Sequence, residues 1–171
     1  PHMIPKLFST LVPKAQVPIE VVVGTERFAV SVPSQGGFVP PPPEPQIDPD
    51  VEIADPVHVP LIKLALARSG DKGDHANIGV IARTPDYLPY IEAALSTTAV
   101  RQWFAHVLAG GAQGRVERWR LPGTHSLNFM LYHALGGGGA ASLRTDPQGK
   151  TFAQMLLEFP VPVPRALAAQ L

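Results

Sequence analysis

A chain of 171 residues is long enough for one domain with a sizeable core, or for one domain plus appendages. Fourteen Lys and Arg balance fourteen Asp and Glu, which argues against partners held by bulk charge, nucleic acids and anionic membranes among them. The absence of cysteine excludes disulfide scaffolds, cysteine-ligated zinc, iron–sulfur clusters and thiol catalysis, and no apolar run approaches the roughly 20 residues of a membrane span.

In chain order, Pro1-His2 before Met3 reads as a remnant of cloning and is set aside. Residues 17–23 and 27–32 predict two strands around Gly24-Thr25, a hairpin arm within residues 3–37. A lone hairpin is marginal in water, so this arm reads either as the end of a larger domain or as a segment that docks on the body. Residues 38–58 follow as a Pro-rich linker. Thirteen of the twenty prolines fall in residues 1–60, and Pro40 to Pro43 are consecutive. Such a run favours polyproline II and acts as a semi-rigid spacer. Charge divides at the same place: residues 1–58 carry three basic and seven acidic groups, the remainder eleven and seven.

The body, residues 59–165, begins with two predicted strands, 59–67 and 78–83. Pro85-Asp86 opens a helical stretch with Tyr87, Leu88, Ile91, Ala94 and Leu95 on one face. It breaks at Ser96-Thr97-Thr98, continues through Val107 and ends at Gly110-Gly111. Residues 115–121 predict a strand with Val116, Arg118 and Arg120 on one side and Glu117, Trp119 and Leu121 on the other. Residues 127–135 read as strand. A last helix over 151–158 is stopped by Pro160, Pro162 and Pro164. The order strand-strand-helix-strand-strand-helix predicts an α+β two-layer sandwich.

The densest polar segment, residues 68–77, reads as a ten-residue loop between two strands, longer than a hairpin needs. Arg68, Ser69, Gly70, Lys72, Gly73 and Asn77 are candidate binding residues, because its glycines let amides converge on an anion while Arg68 and Lys72 add charge. Asp71 and Asp74 are candidate bases. The spacing fits neither a Walker A loop nor an EF-hand. The competing reading is a turn whose Asp and Ser cap their own backbone. Gly136 to Gly139, followed by Arg144, form a second candidate. The run is either a flexible joint or a place where backbone closely approaches a ligand or another strand. Asn128 stands in an apolar stretch, as a structural hydrogen-bonder or a ligand contact. His75, His125 and His133 could ligate a metal, but no HxH or HxxxH spacing supports this, so no metal is expected. We expect Arg68, Ser69, Asp71, Lys72, Asp74 and Asn77 to form one cluster facing the glycine run and Arg144.

Four pieces together resemble a known family: Leu66–Arg83 (LARSGDKGDHANIGVIAR), Trp119–Leu121 with Pro122-Gly123, Leu127-Asn128-Phe129, and Ala134–Lys150 (ALGGGGAASLRTDPQGK). They are similar to the C-terminal domain of the acyclic terpene utilisation AtuA family, over roughly residues 59–160. The resemblance implies a ferredoxin-like fold and a context of bacterial degradation of acyclic terpenes and branched acyl-CoA thioesters. It also implies a large preceding N-terminal domain, whose tail residues 3–37 would be. His75 departs mildly from the family's loop. The expectation is an accessory ligand-binding or assembly domain that completes a site or interface with the larger domain. The alternative is a cofactor-independent acyl-CoA hydratase, dehydratase or isomerase site within the body. In it Asp71 or Asp74 is the base, Arg68, Lys72 and Arg144 hold phosphate or carboxylate, and the glycine amides stabilise an oxyanion. The expected setting is cytoplasmic and homo-oligomeric, with no cofactor, nucleic acid or membrane.

Overall fold

The structure is a computed structural model that describes residues 3, 10–34, 36–40, 42, 51–111 and 113–171. The expectations for Pro1-His2 and for residues 41 and 43–50 of the Pro-rich linker lie outside the described residues. The chain divides into two units, one within Phe8–Pro45 and one within Gln46–Leu171.

In the first unit a 3₁₀ turn, Lys14–Gln16, precedes β1 (Glu20–Val23) and β2 (Glu26–Ala29). The strands are antiparallel around Gly24-Thr25, and Gly24 takes φ +62°, a value that glycine adopts freely. Both strands are shorter than their apolar runs suggest, and all eight residues are exposed. Among the described residues of the unit no second layer gives the pairing a reason to continue.

The second unit holds β3 (Pro56–Pro60), β4 (Ala65–Lys72), β5 (His75–Ala82), α1 (Leu88–Ala94), α2 (Thr97–Trp103), β6 (Val116–Leu121), β7 (Ser126–Leu131), α3 (Phe152–Leu157), β8 (Pro160–Pro164) and α4 (Arg165–Ala168). Strands β4-β5-β7-β6 form one antiparallel sheet. Its inner face presents Ala65, Ile78, Val80, Phe129, Leu127 and Val116, all buried against Leu88, Ile91, Val100, Phe104, Phe152 and Leu156 of the helices. The helices cover this face only, which is the α+β two-layer arrangement expected. The helical stretch breaks where predicted, because Ser96 Oγ accepts the Ala99 amide at 3.1 Å and so caps α2. Among the described residues no helix is long and apolar enough to cross a membrane.

Three elements depart in kind from expectation, and the strand read over 127–135 also ends early, at Leu131. The strand expected over 59–67 is broken by a 3₁₀ turn at Leu61–Lys63; Leu61 and Leu64, three apart, are both buried, a helical rather than an alternating spacing. Residues 56–58, taken as linker, begin β3, and its partner β8 comes from the prolines taken only as a helix stop. The pairs Pro56–Pro164, His58–Pro162 and Pro60–Pro160 share one parity, and Val57–Val163 and Val59–Val161 the other. Proline has no N–H, so the valine pairs carry the ladder bonds, and Leu61 N–H to Phe159 C=O at 2.9 Å continues that parity. The missing donors all fall on the ribbon's outer edges, where they discourage further strands.

The third departure is the polar segment. Residues 68–77 are not a loop: β4 runs to Lys72, β5 starts at His75, and the register pairs Lys72 with His75. Only Gly73 and Asp74 turn, with Gly73 at φ +68° in the first position, as a tight two-residue hairpin turn requires. Backbone pairing therefore absorbs what the composition suggested was excess length.

Candidate functional site at the tip of the central hairpin

The Gly73-Asp74 turn is clasped from above by residues 133–138. The Asp74 carbonyl accepts the Ala134 and Leu135 amides at 3.0 and 3.1 Å. Its carboxylate is held at both oxygens: Oδ1 accepts the Gly137 amide at 2.6 Å, and Oδ2 lies 2.8 Å from His133 Nδ1. A Cβ on Gly138 would sit 2.9 Å from the Gly73 carbonyl oxygen, so the glycine run is a place of close backbone approach rather than a flexible joint. His133 itself takes φ +51°, uncommon for a residue with a side chain. Its amide donates to His75 Nδ1 at 3.0 Å, and the two rings meet edge-on at 4.8 Å. The cluster continues outward: His75 packs on Tyr132, the Arg115 guanidinium lies over the Tyr132 ring, and Tyr132 Oη donates to Glu117 at 2.8 Å.

Burial alone would push the Asp74 carboxyl up. The Gly137 amide, the His133 hydrogen bond and the two histidine charges outweigh it and hold the group below the usual carboxylate range. Burial, with the His133 and Arg115 charges, depresses His75 against the pull of Asp74. The arrangement can present an oriented carboxylate and two imidazoles at one half-buried point.

The other predicted site residues are scattered by strand periodicity. Alternation sends Ser69 and Asp71 to the helix face and Arg68, Gly70 and Lys72 to the open face. The single cluster expected of these residues therefore does not form. Ser69, 8% exposed, donates to the Gly149 carbonyl at 2.6 Å and accepts the Ala153 amide at 2.9 Å, so it ties the first turn of α3 to the sheet. Ser69→Ala should lower unfolding free energy by about 1–3 kcal/mol in a urea melt, since it strands a buried donor and acceptor. A loss below about 0.5 kcal/mol would show that the tie is dispensable.

Asp71 is half-buried, 3.9 Å from Lys150 Nζ, an ion pair of little worth at that exposure. Lys72 donates to the Asp71 carbonyl and to Asn77 Oδ1, and Asn77 donates to Asn128 Oδ1 at 3.4 Å. Arg144 meets the clasp over the Gly73-Asp74 turn through backbone carbonyls. It donates to the Val107 carbonyl at 2.7 Å and to that of Ala134, bracing the clasp beside Gly136. Gly139 has only an ordinary contact with Gln148. Asp71, Arg68 and Arg144 thus do not converge on one point.

Two of the three histidines do meet, and His125 does not: it sits in the β6–β7 turn, bonded through its carbonyl to Ala82 at the far end of β5. The pairing of Ala76 with Leu131 is what brings His75 beside Tyr132 and His133. Spacing along the chain could not reveal that.

The helix-free face of the sheet is the second candidate. Register places Arg68, Gly79, Asn128 and Trp119 in one row across the four strands, and Leu66, Ile81, Ser126 and Leu121 in the next. Leu66 is 53% exposed and Trp119 42%. Gly79, lacking a side chain, leaves a shallow cleft of about 290 Å³ among Leu66, Arg68, Ile81, Leu121 and Ser126. Among the described residues the Arg68 guanidinium has no hydrogen-bond or ion-pair partner.

Compared with known proteins, residues 59–162 match the family model of the AtuA ferredoxin-like domain, more than half of the chain. No curated protein and no solved structure matches.

Proposed function

The chain belongs to the AtuA ferredoxin-like domain family, and from that premise we propose that it is an accessory assembly domain. Its helix-free sheet face docks the larger N-terminal domain that accompanies it in longer relatives, within bacterial breakdown of acyclic terpenes and branched acyl-CoA thioesters. The observation that carries this reading is the exposed row Leu66, Ile81 and Leu121 beside Arg68, which has no partner among the described residues. A contiguous apolar patch rimmed by polar groups marks an interaction surface. The cleft at Gly79 takes an apolar side chain of the partner, and Arg68 takes a carboxylate. The dispersal of Asp71, Arg68 and Arg144 weighs against an acyl-CoA lyase or isomerase site within the body.

The test is association between this chain and the larger domain supplied separately, measured by calorimetry and light scattering. The double variant Leu66→Glu with Ile81→Glu should keep its thermal melt and lose about 2–4 kcal/mol of binding. Undiminished binding by that variant overturns the reading, as does no binding by the parent chain. Self-association that the same variant abolishes would give the face to a second copy instead.

A further inference from the structure

We infer that Asp74, His75 and His133 form a binding site for a late first-row divalent cation, with zinc as the natural occupant. This rests on the hairpin tip and is independent of the docking face.

One oxygen or nitrogen donor from each of the three residues lies within 4.8 Å of the others. The donor set, one carboxylate and two imidazoles, is the kind that zinc, cobalt and nickel select, rather than the all-oxygen set of magnesium or calcium. Asp74 Oδ2 and His133 Nδ1 are already 2.8 Å apart. An ion with ligand bonds of about 2.0–2.1 Å spreads tetrahedral ligands to about 3.4 Å, so small side-chain rotations close the set. The ion takes the place of the proton between Asp74 and His133, and the His133 ring proton moves to its other nitrogen. His75 supplies one of its ring nitrogens as the third ligand.

The surroundings hold these donors in place. The Gly137 amide occupies Asp74 Oδ1 and leaves Oδ2 for the ion, an outer-sphere bond of the kind that orients metal ligands. The Ala134 and Leu135 amides fix the backbone of Asp74 itself. His133 is kept in its left-handed conformation within the same clasp, and such backbone strain concentrates at functional positions. Half of each side chain or less is exposed, 30% for Asp74 and 40% for His133, so the site is open to entry yet partly shielded. Three protein ligands leave the fourth position of a tetrahedral ion for water or a substrate oxygen.

The experiment titrates the full chain, stripped with a chelator, with zinc chloride by calorimetry and with cobalt chloride by visible absorption. One ion per chain should bind, and cobalt should show the intense bands of a four- or five-coordinate site. His75→Gln and His133→Asn, the latter chosen because asparagine tolerates the left-handed backbone, should each weaken binding by at least about tenfold, and His125→Ala should not. Circular dichroism melts confirm that each variant is folded. Absence of zinc binding by the folded parent chain overturns the site, as does affinity unchanged in the His75→Gln, His133→Asn double variant. In the histidine variants, loss of ion binding with partner association intact supports the site and leaves the docking reading standing, because the docking face shares none of these ligands.

Discussion

Gly138→Ala should destabilise the body by about 2–4 kcal/mol, the sum of a strained backbone and a forced contact. Gly138 holds φ +87°, where an L side chain is strained whatever the space around it. The added Cβ would also lie 2.9 Å from the Gly73 carbonyl oxygen and 3.1 Å from its carbon. Both are backbone atoms in the turn that carries Asp74, so neither can rotate aside as a side chain would. Gly139→Ala is the matched control. Its backbone is not left-handed and its nearest neighbour, Gln148, is an ordinary 3.9 Å away, so its effect should stay within about 0.5 kcal/mol. Urea melts of the two variants decide the matter. Equal midpoints would mean that the clasp over the hairpin tip yields easily and that the glycine run is loose after all.

The second large effect is expected at Arg118. It points to the helix side of the sheet, is 4% exposed, and donates from Nη1 to the carbonyls of Glu92 and Leu95 at 2.8 and 3.0 Å. These lie in the last turn of α1 and its C-terminal cap, where carbonyls lack partners within the helix. A cation there also complements the negative end of the helix dipole. Arg118→Met keeps much of the apolar stem but removes the donors, and should cost about 3 kcal/mol in unfolding free energy. The readout is the denaturation midpoint together with the amide-exchange protection of α1, which should fall more than that of α3. An unchanged midpoint would mean that water reaches those carbonyls without penalty. Arg118 is therefore a structural residue that caps the end of α1 from the sheet.

Much of the architecture was legible because it depends on local periodicity. The two faces of β6 follow from alternation alone, and the structure places Val116, Arg118 and Arg120 together on the helix side. The helix break at Ser96 follows from capping chemistry, which needs only the hydroxyl and the amide three residues on. The α+β class follows from the succession of elements. Composition misled at two points. Alternating prolines read as a stop, yet they leave the valine amides free to pair, and so β8 forms. Polar residues at 68–77 read as loop, but ladder pairing runs through the backbone and needs no apolar side chains, so the strands continue through them.

The candidate sites were legible only in part, for a reason that separates the two levels of structure. Read as loop, Arg68 and Ser69 are expected in one cluster; once they lie in a strand, period-two alternation sends them to opposite faces. The sequence by itself determined the α+β class and most element types, but in it the Gly73 turn reads as part of a ten-residue loop and the glycine run stays open between a joint and a close approach. What only the tertiary structure decided is which strands become neighbours and in what register. The pairing of Ala76 with Leu131 brings His75 to His133, 58 positions away, and sets Asp74 under Gly137. The pairing of Gly79 with both Arg68 and Asn128 opens the cleft on the helix-free face. Register is fixed by burying one whole face of every strand at once, a condition on the assembled sheet that no single segment carries.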